Sequence, residues 1–219
     1  MANAAPAEAS LDEANADGVE PGAMEHDPNA TEVVTPLDTK GKLPDDAEVH
    51  GEFKGALSWT DRYGKHALVF GLAVHEGEDE NTTSVLVADF MSWEGSAWVS
   101  QRKFKERVEK CQFDTVLEPI TGDWSVTDLD GNGLAELTFA WRAGCRSDVS
   151  PVSHKVLLVG FDDEAEVAKY ALRGTTGIEL AGSLDPKSSV KTDPAFGDAP
   201  KAFLTHAKSV WDETSIERF

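Results

Sequence analysis

The chain has 219 residues, 40 acidic and 20 basic side chains and a formal charge of −20, long enough for one or two domains with a sizeable core. So large a negative charge repels duplex DNA, RNA and anionic lipid, which excludes them as the main partner. No run of about 18 apolar residues is present to span a membrane.

The charge is uneven. Residues 1–50 hold 12 acids and two bases, so half of the net charge sits in under a quarter of the chain. Up to Asp46 the segment is Ala-, Glu-, Asp-, Asn- and Pro-rich and lacks aromatic residues. It cannot bury enough apolar surface to offset the entropy of ordering it, so residues 1–46 read as a disordered acidic tail or tether ahead of one domain at 47–219. No basic then apolar leader follows Met1. The expectation is either a cytoplasmic protein or a mature form with a start Met added.

From about Glu48 the texture is that of strands. Phe53, Gly55, Leu57 and Trp59 alternate with Glu52, Lys54, Ala56 and Ser58, the two-residue period of a half-buried strand. Asp61-Arg62-Tyr63-Gly64 reads as a turn, with His66–His75 returning. Further strands are expected at Ser84–Phe90, Trp98–Phe104, Trp124–Asp128, Glu136–Arg142, Lys155–Phe161 and Val167–Arg173. Their short, Gly-, Asp-, Asn- and Ser-rich connections predict an antiparallel meander, closed as a sandwich or left as an open curved sheet. No strand–helix alternation points to a parallel α/β sheet. One amphipathic helix is expected at about 199–212, capped by Asp198 or Ala199, with Pro200 in its first turn and Phe203, Ala207, Val210 and Trp211 on one face.

The most specific local signal is Asp128-Leu129-Asp130-Gly131-Asn132-Gly133-Leu134-Ala135-Glu136. Oxygen side chains fall at loop positions 1, 3, 5 and 9 with Gly at 6, the arrangement that a hard cation needs: Asp128, Asp130 and Asn132 on one side, the Leu134 carbonyl, and Glu136 closing directly or through water. An EF-hand would carry Glu at position 12, where Phe139 stands. Trp124/Val126 before the loop and Leu137/Phe139/Trp141 after it alternate as strands, which places the loop on a β-hairpin. The segment resembles the calcium loops of FG-GAP and VCBS-type repeats of extracellular β-proteins. A tight Asp/Asn/Gly turn without an ion is the alternative.

Cys111 and Cys145 bracket this hairpin, and no other cysteine exists. Zinc would need further Cys or His ligands at suitable spacing, and a redox Cys-x-x-Cys is absent. One structural disulfide is expected, which requires an oxidising compartment; two unpaired buried thiols are the alternative.

A longer resemblance spans about residues 111–211. The Thr127-Asp-Leu-Asp-Gly-Asn-Gly133 loop, the run Cys145-Arg-Ser-Asp-Val-Ser-Pro151, the strand Lys169-Tyr-Ala-Leu-Arg-Gly174 and the C-terminal Phe/Trp helix are similar, in that order, to a family of exported bacterial proteins labelled surface polysaccharide biosynthesis proteins. The resemblance implies a role in surface polysaccharide assembly and an extracytoplasmic place, although this chain shows no signal sequence. It implies no catalytic residue.

No nucleophile elbow, zinc-protease motif, phosphate-cradling loop or dinucleotide fingerprint occurs. Asp114, Asp148, Asp162 and Asp163 could converge into a glycosidase-like pair. His66 and His154 read as exposed edge or satisfied core groups rather than bases. The six Trp (59, 93, 98, 124, 141, 211) divide between core and a sugar-stacking platform, with core the expectation for most. Arg102, Lys103, Lys105, Arg107 and Lys110, against Glu106 and Glu109, make a local basic island able to contact an anionic polysaccharide or the acidic tail, or else to guard an edge strand. The sequence therefore predicts an exported, non-catalytic, calcium-stabilised β-domain of the envelope or surface, partnered by polysaccharide or an envelope protein. The alternative is an enzyme acting on cell-surface glycans.

Overall fold

The computed structural model describes residues 35–37, 43–77, 81–162, 164–184 and 188–219. The strands are β1 (Thr35–Leu37), β2 (Glu52–Asp61), β3 (Gly64–Glu76), β4 (Thr82–Trp93), β5 (Trp98–Cys111), β6 (Asp114–Thr127), β7 (Glu136–Arg146), β8 (Ser153–Phe161), β9 (Val167–Thr175), β10 (Gly177–Leu180), β11 (Ser183–Leu184), β12 (Ser189–Thr192) and β13 (Ile216–Arg218). Two antiparallel five-stranded sheets form, in orders β1-β2-β3-β4-β5 and β12-β9-β8-β7-β6. A small third sheet, β11-β10-β13, contains the parallel pair β10–β13.

The period-2 pattern sorts the side chains. From β7 and β8, Leu137, Phe139, Trp141, Leu157, Val159 and Phe161 point into a core shared with Leu57, Trp59, Leu68, Phe70, Leu86 and Phe90 of the first sheet. The alternate residues Ala140, Val156 and Leu158, with Leu172 of β9, face helix α1 (Lys201–Thr214). The second sheet is thus covered on both faces, which is why β8 is apolar almost throughout. The helix lays Phe203, Ala207, Val210 and Trp211 on it, as its spacing predicts. Its N-cap is Pro200, without a side-chain hydrogen bond, rather than Asp198 or Ala199. The short 3₁₀ turn Pro194–Gly197 ahead of it is capped by Asp193, whose carboxylate accepts the Ala195 amide.

Two expectations change in extent. The strand read at Trp124–Asp128 begins at Asp114, because Val116–Ile120 pair with Ala140–Gly144 across a register shift. The strand read at Trp98–Phe104 runs to Cys111, so the whole basic island lies on edge strand β5. Within the segment read as a tail, Thr35–Leu37 pair antiparallel with Ser58–Thr60. Leu43, Ala47 and Val49 pack with Ala56, Ala67, Val69 and Met91 on the outer face of the first sheet. Residues 1–34 and 38–42 lie outside the described residues.

Cys111 and Cys145 form a disulfide that ties the end of β5 to β7, one sheet to the other. Among the described residues, no helix is long and apolar enough to cross a membrane.

Candidate metal centre beside an aromatic cleft

The loop joining β6 to β7 is shaped by its own side chains. Asp128 accepts the amides of Asn132 (3.0 Å) and Gly133 (3.1 Å), Asp130 accepts the Asn132 amide (3.1 Å), and Asn132 Oδ1 accepts the Leu134 amide (2.7 Å). Gly131 and Gly133 sit at φ of +74° and +79°, a region that costs other residues strain. The winding brings carboxylate oxygens of Asp128, Asp130 and Glu136 within 4.8 Å of one another.

The three carboxylates differ in setting. Asp128 and Asp130 are exposed, whereas Glu136 is 3% exposed. Its Oε2 accepts the Leu129 amide at 2.6 Å. Burial is the largest cause that lifts the Glu136 pKa to about 7, and the charges of Asp130 and Asp128 add to it; the Leu129 hydrogen bond opposes. A divalent cation among these oxygens would offset the repulsion between the three carboxylates. Of the five ligands read from the sequence, the carboxylates of Asp128, Asp130 and Glu136 converge. Asn132 adjoins them, its Nδ2 donating to Asp130 at 3.2 Å, and the Leu134 side chain anchors its end of the loop in the inter-sheet core.

Asp130, Asn132 and Glu136 also line a half-open cleft of about 170 Å³ whose other walls include Phe161, Asp162, Tyr170 and Phe203. Tyr170 meets Phe203 edge-to-face at 5.4 Å. Partial burial, followed by the charges of Asp162, Glu136 and Asp130, pushes the Tyr170 phenol above its ordinary pKa, so it stays a neutral hydroxyl facing the acids. No sequence motif announces this cleft, because Tyr170 on β9 and Phe203 on α1 meet the loop only through packing.

The other candidates resolve differently. Asp114 faces Arg146 at one end of the second sheet, near Asp148, while Asp162 follows β8 at the other end. Asp162 is thus held apart from Asp114 and Asp148, and Asp163 lies outside the described residues. The basic island is exposed along β5: Arg102 donates to the Val167 carbonyl, Lys103 pairs with Asp89 (3.6 Å), and Arg107 pairs with Glu109 (2.8 Å). Trp59, Trp124, Trp141 and Trp211 are core residues. Trp93 and Trp98, both half-buried, meet edge-to-face at 5.5 Å on the β4–β5 hairpin, and Trp98 donates to the Asp45 carbonyl.

Both histidines are fully buried and bonded. His154 sits between the Trp141 carbonyl (3.1 Å) and the Thr214 hydroxyl (3.0 Å), against the Trp211 ring. Burial, then the nearby Arg142 charge, lowers its pKa to about 4. His66 bridges Asp61 (3.0 Å) and Ser92 (2.9 Å), an Asp–His–Ser string that sequence spacing did not reveal. The string resembles a hydrolase triad in composition only. Ser92 is 2% exposed and His66 packs among Trp59, Phe90 and Phe161, so no substrate reaches the hydroxyl.

The arginine of the Cys-Arg-Ser-Asp-Val-Ser-Pro run has a structural task. Arg146 grips the buried Glu217 with both guanidinium nitrogens (3.1 and 2.8 Å) and donates to the Ser150 carbonyl, pinning the C-terminal strand. Burial would raise the Glu217 pKa, but its hydrogen bonds from Arg146 and Thr176 outweigh that and hold it below the ordinary carboxylate value.

No protein-family model matches the chain, and no curated protein or solved structure matches it either.

Proposed function

We propose that the Asp128–Glu136 loop holds a calcium ion and that the protein is a non-catalytic, calcium-stabilised β-domain of the extracytoplasmic envelope or surface, associated with surface polysaccharide assembly or binding. The observation that carries the metal reading is the convergence of three carboxylate ligand atoms within 4.8 Å, one of them from the buried Glu136. The disulfide supports an oxidising compartment, where calcium is plentiful enough for a modest site. The polysaccharide role rests on the four-motif resemblance. It gains support from the cleft beside the loop, whose aromatic and oxygen-bearing walls suit the apolar face and hydroxyls of one sugar ring.

Thermal unfolding with calcium and with chelator tests the metal. At calcium about 100-fold above Kd, the wild type gains about 2.7 kcal/mol, while Asp130→Ala gains much less. An unchanged midpoint in the wild type refutes the reading.

A second reading, an enzyme acting on glycans, is favoured by one observation: Glu136, raised to about 7, stands beside Asp130 at an aromatic-lined cleft, an acid and a carboxylate at the short separation of retaining glycosidases. The two readings compete for the same oxygens. Hydrolysis of aryl glycosides that appears in chelator and stops with calcium would select the enzyme. The cleft is smaller than the about 300–1,000 Å³ of most ligand pockets, which favours binding of a single ring over processing of a chain.

A further inference from the structure

We infer that Asp61 is a positioning residue for the cation loop, a buried carboxylate that fixes the loop from the opposite sheet without itself being a ligand; this rests on the metal reading above. Asp61 ends β2, and its side chain is fully buried. Four donors converge on it: the Tyr63 amide (2.8 Å), His66 Nε2 (3.0 Å), Trp59 Nε1 (3.3 Å) and the Ala135 amide (3.2 Å). Three belong to the first sheet and its turn. The fourth belongs to the cation loop, one residue before Glu136. Beside it, the Arg62 amide donates to the Gly133 carbonyl at 3.1 Å. The β2–β3 turn therefore holds the loop at Gly133 and again at Ala135.

The physical need is specific. Leu134 and Ala135 are 1% and 2% exposed, so the Ala135 amide has no water to bond and requires an acceptor. A carboxylate serves better than a carbonyl because charge-assisted hydrogen bonds are stronger. The carboxylate is held in turn: His66 Nε2 donates to one oxygen, and the other ring nitrogen meets Ser92 Oγ. The limb of the loop that carries Glu136 is thus locked before any ion arrives, while Asp128 and Asp130 remain on the exposed limb. Ordering already completed in the free protein does not have to be supplied by the ion. Outer-shell groups that orient ligands in this way typically carry 10–100-fold of metal affinity.

The test is calcium titration calorimetry on the full chain, with amide hydrogen exchange read at Ala135 in chelator. Asp61→Asn should weaken calcium at least about 10-fold and speed Ala135 exchange in the metal-free protein. Val69→Ala, a core truncation on the outer face of the first sheet, should lower the melting temperature and leave the calcium Kd unchanged. Equal loss of affinity in both variants, or an unchanged Kd in Asp61→Asn, overturns the inference. If Asp61→Asn does not fold, Ser92→Ala decides. It removes the hydroxyl that steadies His66, and the inference requires both a weaker calcium Kd and faster Ala135 exchange. A wild type that binds no calcium while Asp61→Asn still loosens Ala135 would refute the metal reading and leave the strut as loop scaffolding only.

Discussion

Removal of the Cys111–Cys145 bridge should reveal how much of the stability resides in the unfolded chain. The cysteines are 34 positions apart, and closing a loop of that size removes chain entropy worth about 4 kcal/mol at 25 °C. That is a large fraction of the about 5–15 kcal/mol by which domains are stable. For an ordered region of this length, each kcal/mol moves the midpoint by about 2–4 °C, so the expected fall is about 8–15 °C. The best variant is Cys111→Ala with Cys145→Ser, because Cys111 is 1% exposed and a buried serine hydroxyl would add its own cost. Urea unfolding of this variant, and of the wild type with and without reductant, separates the mechanisms. A bridge that acts on the unfolded state keeps that state compact, so the m-value should rise when the bridge is lost. A loss below about 1 kcal/mol, or a full loss with unchanged m, would refute the entropic reasoning. Under the calcium proposal the variant should bind the ion as the wild type does, because the proposed ligands and the Asp61 strut do not touch the bridge.

His154 has a depressed pKa, so the unfolded state binds its proton first; its contribution is complete above about pH 6.5 and is lost as pH falls toward about 4. The span corresponds to about 3 kcal/mol. It is best read as the difference between wild type and His154→Asn, since Glu136, with its raised pKa, imposes the opposite slope between about 4.5 and 7. Parallel stability curves for the two proteins over pH 4–6.5 would refute it. Glu217→Ala should cost about 3–5 kcal/mol in urea unfolding by leaving Arg146 buried without its partner, and a loss near zero would place that pair among the dispensable ones. Gly174→Ala drives a methyl group into the Ser189 carbonyl; amide exchange should then show β12 detached from β9, and intact protection of Ser189–Thr192 would contradict the packing.

The strands, the helix and the convergence of the loop carboxylates were legible in the sequence because each is written in a local pattern. Phe53–Trp59 alternates, the helix repeats Phe203, Ala207, Val210 and Trp211 on one face, and the Asp/Asn/Gly loop carries its turn chemistry within nine residues. The first half of β6 escaped because Glu118-Pro119-Ile120 breaks the alternation, and pairing with β7 decides it. The short strands β10–β13 escaped because they have too few residues to show a period. The helix cap was misplaced because Asp198 has a capping side chain, yet in the fold Pro200 holds the boundary position. Pairing of Cys111 with Cys145 was readable from count alone.

Composition and spacing thus determined the β class, the C-terminal helix and which oxygens could meet around an ion. Only the tertiary structure decided that Glu136 is buried and Asp128 exposed, that Asp61 from 74 residues away carries the loop, and that Tyr170 and Phe203 border it. Burial and long-range hydrogen bonds depend on what packs opposite a residue, and a one-dimensional pattern does not record that.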